Sequence, residues 1–127
     1  MAMNCMGDLS VSKLPDLLFD LKMPGTPMRI ALEMERTRKS QGRYQTMRNA
    51  YGRANNLDGV LFGVAEERIE ECIAREIYQG GLEFTGREVG FFFIEDFLQC
   101  GLQATLKISN KEKTLEEYFH ELASQNN

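Results

Sequence analysis

Tryptophan is absent from this chain, and histidine, cysteine and proline are scarce: one His, three Cys and three Pro in 127 residues. Each shortage excludes something. Cys5, Cys72 and Cys100 stand 67 and 28 residues apart, a spacing that no common zinc site uses, and a single histidine adds little to them. An odd number of scattered thiols also argues against a disulfide framework and predicts a reducing, cytoplasmic setting. His120 has no nucleophile and no carboxylate in fixed register with it, so nucleophile–base–orienter catalysis is not expected. No apolar run approaches the roughly 20 residues that cross a bilayer, which predicts no membrane association. The first eight residues carry neither a basic region nor a long apolar core, so no secretory signal is expected. Gly80–Gly81 and Gly86 with Gly90 lack the spacing of a phosphate-cradling loop. Internal repeats are also missing. These absences together predict a protein that is not an enzyme and uses no cofactor or metal.

The composition that remains is 43% hydrophobic and 27% charged, that of an ordinary globule. At this length, folding as a single domain over 1–127 buries about two-thirds of the unfolded chain's surface, enough without covalent staples. The ends, residues 1–13 and 124–127, show little periodicity and are expected to be flexible.

Periodicity predicts a mainly α fold of about five helices. The stretch from Phe84 to Cys100 holds five of the eight phenylalanines and reads as the central, most buried helix. Thr85 with Glu88 makes a capping box, Phe84 with Val89 a hydrophobic staple, and Phe92, Phe93, Phe97 and Cys100 recur at steps of three and four. Phe93 is expected in its buried middle. Three consecutive phenylalanines on one helix cannot all face one core, which predicts that one of them reaches a homodimer interface. Leu14–Leu21 fits a short helix ended by Pro24, Gly25 and Pro27. Met28 to about Ser40 fits another, capped by Thr26. Residues 43–54 repeat Tyr44, Met47, Ala50, Tyr51 and Ala54 at helical spacing, with a flexible arm over 36–56 as the alternative.

Ala65–Gln79 is an amphipathic helix with Ile69, Cys72, Ile73, Ile77 and Tyr78 inward and Glu66, Glu67, Glu70 and Glu71 on a solvated acidic face. Leu115, Tyr118, Phe119 and Leu122 mark the last helix, started by a capping box at Ser109–Glu112 or Thr114–Glu117. Cys72 and Cys100 both fall on inward faces. Val60–Val64 reads as a strand or a helix entry, and Leu102–Ile108 alternates with period two. A small two-stranded sheet from these runs, or a full α+β fold built on them, is the alternative architecture.

The charge distribution is uneven. Through Asn55 there are nine Lys and Arg against five Asp and Glu; from Asn56 onward there are six against fourteen, so +4 and −8 sum to the net −4. Pro27 to Asn55 holds seven basic residues against two acids, Glu33 and Glu35. Arginine grips phosphate bidentately and stacks on bases, as tyrosine does. Arg36, Arg38, Lys39, Arg43, Tyr44, Arg48, Tyr51 and Arg53 are therefore the candidate nucleic-acid contacts, on DNA or RNA phosphate backbones. The expected function is a small intracellular nucleic-acid-binding or regulatory protein. The alternative is a protein–protein adaptor or self-associating helical module, whose basic segment pairs with the acidic second half.

Overall fold

A computed structural model describes residues 2–3, 17–21, 28–37, 41–52, 57–80 and 88–125, with side chains over 29–37, 42–46, 49, 57–76 and 88–124. Among the described residues seven strands form one mixed sheet in chain order. They are β1 (Ala2–Met3), β2 (Leu17–Leu21), β3 (Met28–Glu35), β4 (Gly59–Val64), β5 (Glu88–Phe93), β6 (Thr105–Ile108) and β7 (Lys111–Thr114). The α-helices among the described residues are α1 (Gln41–Gly52), α2 (Glu67–Gly80), α3 (Ile94–Cys100) and α4 (Leu115–Gln125). The protein is α+β, and the expectation of a mainly α fold is overturned.

The centre of the sheet is parallel. β3 pairs with β4 from Ile30↔Gly59 to Glu35↔Val64, and β4 pairs with β5 from Gly59↔Glu88 to Val64↔Phe93. The outer pairings are antiparallel on both sides. Parallel neighbours need a crossover, and α1 and α2 supply the two. Both helices lie on one face, where Tyr44, Ile69 and Ile73 pack on Ala31, Val60, Phe62, Val64 and Phe91. On the opposite face Leu115, Tyr118 and Leu122 of α4 pack on Ile30, Leu61, Phe92, Leu106 and Ile108. Strands buried on both faces read as continuous apolar runs, not as alternation. That is why Val60–Val64 was ambiguous and why 88–93 imitated a helix.

The Phe84–Cys100 helix is thus replaced by a strand and a short helix in direct succession. Glu88 and Val89 belong to β5, which removes them from any capping box or staple; Phe84 to Arg87 lie outside the described residues. Phe91 and Phe92 point to opposite faces and are both buried, while Phe93 is half-buried on the α2 face. The three phenylalanines need no subunit interface, because a two-sided strand gives them two cores. Phe62 and Phe91, paired in register across β4 and β5, stack with ring centroids 5.5 Å apart. On the other face Gly63 lies under Phe92 and Met34: a Cβ there would sit 2.7 Å from the Phe92 ring and 2.8 Å from the Met34 sulfur.

Two further helix expectations fail the same way. Leu17–Leu21, inside the expected helix 14–21, is strand β2, and Met28–Glu35, inside the expected helix 28–40, is strand β3. Residues 4–16, with most of the N-terminal stretch expected to be flexible, lie outside the described residues. The helix over 43–54 is present as α1, and the helix over 65–79 as α2 with Ile69 and Ile73 buried; the side chains of Ile77 and Tyr78 lie outside the described residues. The two runs read as possible strands are β4 and β6, with β5 between them.

Local chemistry fixes the C-terminal half. Gly101 adopts φ +58° and its N–H donates to the Phe97 carbonyl, ending α3 at a positive φ that glycine, lacking a Cβ, adopts freely. Ser109 and Asn110, at φ 53° and 61°, form the two-residue turn between β6 and β7, the pattern of a type I′ hairpin. The capping box is therefore at Thr114 and not at Ser109. The Glu117 N–H donates to Thr114 Oγ1 at 3.0 Å, and the Thr114 N–H to Glu117 Oε1 at 3.1 Å. Leu115, Tyr118 and Leu122 are buried as expected, and Phe119 is half-buried.

Phe92→Ala should cost about 3–5 kcal/mol of stability, as large core truncations do. Phe93→Ala should cost less than half of that, since the side chain is only half-buried. Urea denaturation of both variants measures the difference, and equal losses would contradict the assigned faces.

The Tyr118 hydroxyl is buried without a hydrogen-bond partner among the described residues. Burial, then the charges of Glu88 and Asp58, push its ionisation well above the usual phenol range. Ionised tyrosine is excluded from the fold, so above about pH 10 the unfolded chain loses a proton that the folded chain keeps. Stability must fall as pH rises there. Tyr118→Phe should match or exceed wild type by about 1 kcal/mol at neutral pH, since an unsatisfied buried group is removed. It should also lose less stability between about pH 10 and 11. Thermal melts across that range check both statements.

Candidate functional site

Because β3, β4 and β5 are parallel and in register, Glu35, Val64 and Phe93 end at one edge of the sheet. Strand order does not reverse here, since α1 and α2 cross on the same face, so the edge is judged by its own side chains. The edge is tied together at the backbone, where the Ala65 N–H donates to the Glu35 carbonyl at 3.0 Å. At the opposite edge the strands are stitched through Asp58. The Asp58 N–H donates to the Arg29 carbonyl at 2.8 Å, and Asp58 Oδ2 accepts from the Arg29 N–H at 2.7 Å. This closes the amino edge and leaves the carboxyl edge to the loops that enter α1 and α2.

β3 carries the unusual chemistry. Its side chains alternate: Ile30, Leu32 and Met34 face α4, while Ala31, Glu33 and Glu35 face the α1–α2 layer. Glu33 is 2% exposed and Glu35 0%. Two residues apart on one strand, they stand about 6.6 Å apart along it. Buried carboxylates are costly unless cations or hydrogen bonds compensate them. A buried charged pair is more informative than any exposed one. Sequence reasoning missed these two residues and counted them only as acids diluting a basic stretch. The signal lay in the period-two pattern Ala31-x-Glu33-x-Glu35, visible once 28–35 is read as a strand.

The basic segment leaves β3 at this same edge. Arg36 and Thr37 are exposed immediately after Glu35. α1 contains Arg43 and Arg48 and no acidic residue, and Arg43 is exposed. Tyr44 was expected to stack on bases, but it is 4% exposed and packs in the core under α1, so it is removed from the candidate contacts. Arg38, Lys39 and Arg53 lie outside the described residues. Arg48 and Tyr51 are on α1, but their side chains lie outside the described residues. Glu66, Glu67 and Arg68 are exposed at the start of α2, next to the β4 end of the edge.

The remaining candidates fall away from this edge. His120 is exposed on α4. Cys72 is half-buried against the α1–α2 core, as expected, but Cys100 is exposed on α3 and is not a core residue. Local desolvation and the Asp96 carboxylate hold the Cys100 thiol above its usual range, which keeps the reactive thiolate scarce. Glu70, counted on the solvated acidic face, is turned to the sheet, where both carboxylate oxygens accept from Lys107 Nζ at 3.3 Å. The same ammonium lies 5.1 Å over the Phe93 ring. A concavity of about 320 Å³ opens beside this pair, lined in part by Ala74, Val89 and Phe91. Among the described residues no three His, Cys, Asp or Glu side chains gather as a metal site. Among them, too, no helix is long and apolar enough to cross a membrane.

Comparison with known proteins returns no match: no family model, no curated protein and no solved structure matches the chain. A functional reading therefore stands on this chain's own chemistry.

Proposed function

We propose that the protein binds nucleic acid through the basic segment that leaves the carboxyl edge of β3 and continues along α1. The observation that carries this reading is the exposure of Arg36 and Arg43 on a segment whose helix holds no acid. Phosphate contacts of this kind position a protein on the nucleic-acid backbone without reading its sequence. Tyr44 takes no part, which leaves arginine as the main contact and backbone charge as the main source of affinity.

Each phosphate contact releases counterions, with a slope of log affinity against log salt of about −0.9 per contact on duplex DNA and −0.7 on a single strand. Arg36→Ala with Arg43→Ala should weaken binding to all sequences alike and reduce the slope by about two on a duplex. Stability should change little, because both positions are exposed. Titrations of a labelled duplex and a labelled single strand at several salt concentrations measure this. Absence of binding to both at low salt would leave the adaptor reading in place of this one.

A second reading is favoured by Glu33 and Glu35. Magnesium is commonly held by one or two carboxylates together with substrate phosphates. Two buried carboxylates at the edge where a phosphate-binding segment begins suit metal-assisted cleavage of a phosphodiester. There the ion would polarise the phosphoryl oxygen and activate a water. This reading departs from the expectation of a non-enzyme. It predicts cleavage of plasmid or single-stranded DNA or RNA that requires Mg²⁺ or Mn²⁺ and stops with a chelator. Glu35→Gln should abolish cleavage by at least about 100-fold, the scale of losing a positioned ionic group at a transition state. Binding in the absence of metal should remain. Binding without cleavage under every metal condition would leave the first reading alone.

A further inference from the structure

The surface built by α3, the following 3₁₀ turn (Gly101–Gln103) and the start of α4 differs from the rest of the molecule. Leu98 is 72% exposed, Leu102 44% and Phe97 37%, and they are the large hydrophobic side chains exposed among the described residues. They lie within six positions of one another on one compact turn of chain. Phe97 is anchored by Phe92, with ring centroids 5.8 Å apart, so the patch is fixed to the α4-side core. Clustered apolar exposure of this kind marks an interaction surface more often than scattered exposure does.

The rim is acidic. Glu95 and Glu116 are exposed, and Asp96 is half-exposed, its Oδ2 accepting the Thr105 N–H at 2.8 Å. Gln103 Nε2 donates to Glu116 Oε2 at 3.2 Å, which joins the turn to α4 and sets that carboxylate beside the patch. From Glu88 to Leu106 the sequence holds no lysine or arginine, and α4 holds none either. Two copies meeting through this face would oppose carboxylate to carboxylate, which disfavours a two-fold dimer here.

We propose that this face docks a basic amphipathic helix of a partner protein, its apolar stripe on Phe97, Leu98 and Leu102 and its Lys or Arg residues against Glu95, Asp96 and Glu116. The apolar centre supplies contact and the acidic rim selects the sign of the partner's charge. Its place on the α4 side of the sheet separates it from the α1 segment on the other face.

The test uses the full chain and a synthetic helical peptide with leucine at i, i+3, i+4 and i+7 and lysine elsewhere. A matched peptide with glutamate in place of lysine is the control. Fluorescence titration should give saturable binding of the lysine peptide in about the micromolar range expected of a small interface. Leu98→Asp should weaken it about tenfold or more, and Glu95→Gln with Glu116→Gln should weaken it and flatten its salt dependence. Leu98 is exposed enough that the variant should fold, and its melting curve verifies this. The proposal fails if the lysine peptide does not bind, if the glutamate peptide binds as well, or if Leu98→Asp leaves binding unchanged. It also fails if sedimentation shows wild-type self-association that Leu98→Asp abolishes, since a second copy is then the occupant. Loss of labelled-duplex binding on Leu98→Asp overturns it too, assigning the face to nucleic acid.

Discussion

The parallel pairing of β3, β4 and β5 obliges both faces of the sheet to be covered, and the other elements answer to that constraint. A parallel strand cannot be reached by a tight turn, so α1 and α2 must cross over the sheet, and in crossing they cover one face. The other face waits for α4, the last helix of the chain. Phe62 and Phe91 stack beneath α2, while Phe92 fills the side shared with α4 and forbids a side chain at Gly63. Remove either layer and the central strands would face water with apolar residues on that side.

The same arrangement makes the candidate site. Parallel strands put three carboxyl ends on one edge, and the antiparallel outer strands do not add to that edge in the same sense. β3 arrives there with two carboxylates on the α1–α2 face and then releases the chain into its most basic stretch. Acid and base are adjacent in sequence but separated by depth: Glu33 and Glu35 are buried in the sheet layer, whereas Arg36 and Arg43 are at the surface. A net charge count over 27–55 averages this away. The structure places the two carboxylates in the buried layer and the two arginines at the surface.

The apolar surface is divided by the same logic. The C-terminal half carries the excess of acid, and the fold concentrates part of it around α3 and α4, where the exposed leucines are. The exposed arginines of the β3–α1 segment and the acid-rimmed apolar patch of α3 lie on different faces of the sheet, while α2 carries the exposed acids Glu67 and Glu71 on the same face as α1.

Much of the C-terminal half was legible in the sequence because its signals are local. The Thr114–Glu117 capping box, the inward Leu115, Tyr118 and Leu122, the amphipathic α2 and the period-two run of β6 depend on neighbours within a turn or two. They occur where local pattern alone puts them, and so does the helix over 41–52. The strands β2, β3 and β5 were not legible as strands. Leu17–Leu21 and Glu88–Phe93 are mostly apolar, and a short apolar run carries no period that separates strand from helix, while in Met28–Glu35 the alternation of Arg29, Glu33 and Glu35 stands beside apolar residues that also fit helical spacing. What made them strands is partnership with segments tens of residues away. For the same reason Tyr44 looked like a base-stacking residue and is a core residue. Glu33 and Glu35 looked incidental and are buried side by side. Charge asymmetry, helix caps and the residues that favour burial are written in local sequence. Which of those residues share a face is set by the fold, because a sheet's faces are defined by long-range pairing and no local pattern encodes that.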